Sequence, residues 1–250
     1  FWAEGTQLRT YDKTTQKWSH ENHFYSRYSY YFLTEGDAPL RVKSLSAVTS
    51  TVSNTVEKVQ YAAIWDEDEA GLFDGGRRMF EGHDFATQNQ KTFSVSVPDL
   101  AEKAGLLPVE VSFAASSTTS STTADIQLNG NSLGKLSASA YNSLTSSASL
   151  DTKTFRQSIR EGNNTFAVTT TAGNTARMDY VRISYPRLLK VAANPYSFSP
   201  LTEGTTSLSI QAATPSTRLW RIGQKGSPTA EVPRASLAEG RAVFTLTLQS

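Results

Sequence analysis

The chain has 250 residues, of which 38% are hydrophobic and only 19% charged, and its formal net charge is +1. That length exceeds the roughly 100–150 residues of an ordinary domain, so two or three modules are expected. Nucleic acid needs clustered cations to neutralise its phosphates, and the pairs Arg77-Arg78 and Lys153 with Arg156 stand isolated; the zero cysteine count removes disulfides, thiolate metal sites and a cysteine nucleophile from these residues.

In chain order, the sequence starts at Phe1-Trp2 without Met and ends on the strand-like Leu246-Thr247-Leu248. Both ends read as cut from a longer polypeptide. No apolar run approaches the roughly 20 residues of a membrane helix. Tyr28 to Thr34 is a β-rich run closed by Glu35-Gly36-Asp37, and Thr92 to Val97 alternates up to Pro98. Pro98 to Gly105 predicts one short helical turn ended by its glycine. Val109, Val111 and Phe113 share one face of a strand. The Ser/Thr-rich stretch 116–123 then reads as a solvated hairpin loop. Ala124 to Leu128 runs into Asn129-Gly130-Asn131, a strong hairpin signal. Lys153 to Arg160 suits a helix or a strand equally well. Asn164 to Thr169 is expected to pair with Ala176 to Tyr185, where Met178, Tyr180, Val181 and Ile183 cannot share a face without a bulge or double burial. Beyond Pro186, the segments 206–212, 218–222 and 242–248 read as strands of a smaller sandwich.

The expected fold is therefore all-β: a lead-in over 1–45, a jelly-roll-like sandwich over 46–187 and a smaller immunoglobulin-like sandwich over 188–250. Twelve Phe, ten Tyr and four Trp supply its core. A surface rich in Ser and Thr, with no cysteine, fits an exported bacterial protein.

Few residues carry chemistry. His20, His23 and His83 read as surface or turn residues, too scattered for a zinc site or a triad, so no catalytic residue is expected. Asp66-Glu67-Asp68-Glu69 is the one dense acidic run. It reads as a solvated loop, with Asp66 and Asp68 as the candidate oxygens for a hard cation, although EF-hand spacing is missing. Asp74-Gly75-Gly76-Arg77-Arg78 is a turn whose Arg77 and Arg78 can contact an anion, without the Lys-Ser/Thr ending of a P-loop. Trp2, Trp18 and Tyr25 are the aromatics that would stack on sugars if exposed.

Several segments, in this order, resemble the region preceding the peptidase domain in the type IX secretion sortases, a family of gingipain-like cysteine peptidases of the Bacteroidota. They are Phe1-Trp2-Ala3-Glu4-Gly5, Tyr11-Asp12, His20, Tyr25-Ser26 and Tyr30 to Thr34, then Leu72 to Gly82, Thr175 to Val181 and Leu219-Trp220-Arg221-Ile222. In the loop, Met79-Phe80 stands where the family has Trp-Tyr, and Trp220 is followed by Arg instead of Asp. The resemblance implies a parent enzyme at the outer-membrane surface that removes C-terminal signals from cargo, with its Cys and His downstream of this region. This chain would then be a scaffold without a cofactor that docks protein partners: the peptidase domain, secretion components or cargo. The end of the middle part, Gly162 to Phe166 followed by Ala176 to Tyr185, also resembles carbohydrate-binding jelly rolls, which makes a glycan the alternative partner.

Overall fold

The computed structural model describes residues 7–23, 26, 28, 30, 35–36, 41–72, 78–101, 105–142, 147–171, 173–193, 196–199, 203–222 and 229–248. Among them there is no helix, and so none long and apolar enough to cross a membrane. Most of the expected run 28–34, and residues 102–104 of the expected helical turn, lie outside the described residues. The turn's remaining residues, 98–101 and Gly105, are not helical. The strands begin with Gln7–Asp12 (β1), Lys17–Asn22 (β2), Lys43–Ser44 (β3), Asn54–Val56 (β4), Lys58–Asp66 (β5) and Gln90–Val97 (β6). They continue with Leu107–Ser116 (β7), Thr122–Leu128 (β8), Asn131–Ala138 (β9), Ser149–Gln157 (β10), Gly162–Thr170 (β11) and Thr175–Leu188 (β12). The last are Gly204–Ile210 (β13), Leu219–Arg221 (β14), Ala230–Val232 (β15), Arg234–Ala238 (β16) and Arg241–Leu248 (β17).

The chain forms two compact units, Phe1–Ser29 with Ala62–Tyr185, and Tyr30–Tyr61 with Pro186–Ser250. Residues 46–61 group with the C-terminal unit. The cause is pairing: β3 and β4 add in parallel to β15 and β13. In that unit two sheets, ordered β16-β17-β13-β4 and β14-β15-β3, enclose a core of Leu189, Leu208, Val232, Phe244 and Leu246.

The first unit carries two four-stranded sheets, β10-β7-β12-β5 and β6-β11-β8-β9. Counting from β5, these orders are the two Greek keys of a jelly roll. The short-range strand expectations hold, but two connections differ. The strands β11 and β12 do not pair: β11 sits between β6 and β8, while β12 pairs β7 in the other sheet. The Ser/Thr stretch is likewise no hairpin loop but a crossover between sheets, exposed at 118–121. Alternation reports which residues share a face and is silent about which strand lies alongside. Lys153 to Gln157 falls within the strand β10. The expected irregularity in β12 is a bulge between Met178 and Tyr180.

The β8–β9 hairpin turns on Asn129 and Gly130, with φ of 53° and 82°. Both central residues thus lie in the left-handed region that a two-residue turn matching the strand twist demands. Gly130→Val is expected to cost about 1–2 kcal/mol, read from the denaturant midpoint, because a Cβ is disfavoured at that φ.

β7 and β12 are buried on both faces, which fixes where the polar site lies. Val109, Val111, Phe113, Val181 and Ile183 are fully buried on the side facing the sandwich interior. Their alternates Glu110, Ser112, Tyr180 and Arg182 face outward. Residues of the β1–β2 hairpin contact that outer face.

Candidate functional site

The acidic run begins at the last residue of β5, and its carboxylates divide between two sets of partners. Asp66 and Asp68 turn toward β2, where the Asn22 amide donates to Oδ2 of each at 2.8 Å. The amide oxygen of Asn22 accepts from Gln7 at 3.0 Å. Glu67 and Glu69, which line the same cleft, meet Glu81; one carboxylate oxygen from each of the three lies within 4.8 Å of the others.

His20 is not the surface residue expected, for its side chain is only 3% exposed. Its Nδ1 lies 2.9 Å from Nη1 of Arg182 and its Nε2 lies 2.9 Å from Asp66 Oδ2. Arginine has only N–H groups to offer, so Nδ1 accepts and Nε2 carries the proton toward Asp66. The ring also stands edge-on to Tyr180, with centroids 4.7 Å apart. Arg182 then pairs with Glu110, its cross-strand neighbour on β7. Glu110 Oε1 accepts a further hydrogen bond from Tyr180 at 2.6 Å, and Oε2 one from Thr154 at 3.3 Å.

Burial, reinforced by its bond to the Glu110 carboxylate, holds the Tyr180 hydroxyl well above the usual tyrosine range. A raised acid pKa favours the protonated native state, so this stabilisation is complete below the unfolded value of 10.0 and fades as pH climbs toward the folded one. Tyr180→Phe is expected to flatten the fall of the denaturant midpoint between about pH 9 and pH 12 relative to the parent chain. Equal slopes would show that the hydroxyl plays no part.

Arg78 commits Nε and Nη2 to Asp179, at 3.3 and 2.5 Å, and the bond to that carboxylate raises the guanidinium's pKa further. Asp179 occupies the bulge of β12. Arg77, Trp2 and Tyr25 lie outside the described residues. Trp18 packs against its cross-strand partner Tyr11, with ring centroids 5.1 Å apart, and is half-buried. His83 is held apart from this network, with Nε2 at 2.8 Å from the Gln88 carbonyl.

A cleft of about 1020 Å³ is lined by Gln7, Asn22, the acidic run Asp66 to Glu69, Arg78, Asp179 and Arg182. Of its charged residues, sequence reasoning had marked Asp66, Asp68 and Arg78 and missed Asp179 and Arg182. The available signal was a charge set among the apolar residues Met178, Val181 and Ile183, which must find a partner to be buried.

No protein-family model matches the chain, and no curated protein matches it. Among solved structures, the CBM36-1 domain of a multidomain xylanase from the hindgut metagenome of Trinervitermes trinervoides aligns at 15% identity, over 50% of this chain and 95% of that one, with a TM-score of 0.32. A family 35 carbohydrate-binding module from Clostridium thermocellum aligns at 16% identity, over 51% and 98%, with a TM-score of 0.30. At those scores neither carries an argument. Dimeric latent PorU from Porphyromonas gingivalis aligns at 15% identity with a TM-score of 0.78, over 99% of this chain. The chain thus shares, over nearly its whole length, the fold of a region that makes up 24% of the PorU chain.

Proposed function

We propose that this chain is a non-catalytic docking scaffold of a cell-surface type IX secretion sortase, a cysteine peptidase that removes C-terminal signals from exported cargo. The observation that carries the reading is the likeness to PorU, which extends through both units and 99% of the residues. The chemistry of the cleft agrees with it. A nucleophile and its base need free, mutually placed groups. In this cleft both nitrogens of His20 are engaged, Tyr180 holds its proton and Arg78 is bound to Asp179. Fixed charges and amides around an open cleft suit the recognition of a polar protein surface.

The purified chain is expected to retain the parent's peptidase domain or a type IX outer-membrane component in a pull-down, and to leave a peptide bearing a C-terminal signal intact. Cleavage of that peptide by the chain alone, or failure to retain any of these partners, would remove the reading. On intact cells the region is expected at the outer-membrane surface, open to added protease. A carbohydrate-binding role is the second reading, favoured by the amides and carboxylates of Gln7, Asn22, Asp66 and Asp68 in the cleft. Glycan-array binding that disappears on Asn22→Ala would select it.

A further inference from the structure

The cleft's acidic edge, beside its hydrogen-bond network, carries a second site. Trp65, two residues before Glu67, stacks on Phe93 of the other sheet with ring centroids 3.9 Å apart. Just beyond, the chain returns and forms a bridge between Ala70 and Phe80, closed by hydrogen bonds of 2.7 and 2.9 Å. The bridge places Glu69 and Glu81 beside each other.

Three carboxylates brought this close repel one another unless a cation lies among them. Lys91 answers only part of the charge, through Glu81 Oε1. Three carboxylates against one ammonium leave two negative charges. The second oxygen of Glu81, Oε2, is buried with no hydrogen-bond partner, on a residue only 3% exposed. A buried carboxylate oxygen without a donor can take a cation as its partner. Arg177, the nearby guanidinium, gives its Nη1 to the carbonyls of Glu81 and Gly82 at 3.1 and 2.6 Å. Gly82 makes room for the cluster: a Cβ there would stand 2.5 Å from Glu69 Oε2.

We propose that Glu67, Glu69 and Glu81 bind one calcium ion. Oxygens within 4.8 Å of one another can share an ion that takes its ligands at 2.3–2.6 Å. An all-oxygen set rich in carboxylates and lacking His and Cys selects a hard cation over zinc or copper. Calcium accepts irregular sets of six to eight oxygens, including carbonyls, where magnesium keeps most of its water. The ion would supply the missing partner of Glu81 Oε2, balance the residual charge, and tie the segment after β5 to the segment before β6. This inference is independent of the docking role and survives or fails without it.

The test is calorimetric titration of calcium chloride into the full chain stripped by chelator, alongside its unfolding temperature with and without calcium. One ion per chain and a higher unfolding temperature are expected. In the double variant Glu67→Gln, Glu69→Gln, both exposed and so safe for folding, the dissociation constant should rise at least tenfold. Asp125→Asn, on an exposed surface pair, should leave it unchanged. Terbium offers a second readout: its emission on tryptophan excitation should appear with the parent chain, fall on adding calcium, and be lost in the double variant, because Trp65 lies two residues from Glu67. No saturable binding at millimolar calcium, or equal affinity in the double variant, would overturn the proposal.

Discussion

Arg182→Met is expected to destabilise the chain by about 3 kcal/mol, the lower end of what breaking a buried ion pair costs. Arg182 and Glu110 have side chains only 8% and 19% exposed, so removing the guanidinium strands a carboxylate largely out of water. The loss is not larger because Tyr180 and Thr154 still donate to Glu110. The same change takes the donor from His20 Nδ1, so the β1–β2 hairpin should loosen as well. Adding Glu110→Gln to the variant should recover part of the loss, since a neutral amide is cheaper to bury than an unpaired charge. Denaturant midpoints of the two variants provide the check. A cost below about 1 kcal/mol for the single change would mean that the pair is worth no more than an exposed one.

Phe166→Ala should cost about 3–5 kcal/mol by leaving a cavity in the sandwich. Phe166 is fully buried on β11 and lies directly opposite Phe93 on β6, their rings stacked 5.4 Å apart at 7°. Phe93 in turn stacks on Trp65 of the other sheet, so three rings run from one layer to the next. Phe166→Leu should retain most of the stability, because leucine refills most of the volume and loses mainly the ring contact. Trp65 emission supplies the measurement, and an unshifted midpoint for the alanine variant would contradict this account of the core.

The sequence made strand identity readable where one face is buried and the other wet. Ile126 and Leu128 alternate with Asp125 and Gln127, and Asn129-Gly130 can be little but a tight turn. It hid what depends on distant partners. β11 and β12 are consecutive strands, yet they lie in different sheets, because a Greek key pairs strands far apart in the chain. His20 looked like a turn residue in a polar stretch. Its burial depends on Arg182, 162 positions away. Within the acidic run, composition alone pointed to Asp66 and Asp68 as cation candidates. In the structure those two accept from Asn22, while Glu67 and Glu69 meet Glu81, a residue no local pattern connects with them.

The outer face of β7 and β12 carries hydroxyl, carboxylate and guanidinium groups where it meets the β1–β2 hairpin. Local opening is commonly hazardous because it bares greasy surface to neighbouring molecules. If the hairpin peels away here, water can take over its hydrogen bonds, and the surface laid open gives other molecules little to adhere to. Such a chain can breathe at this edge without seeding aggregates.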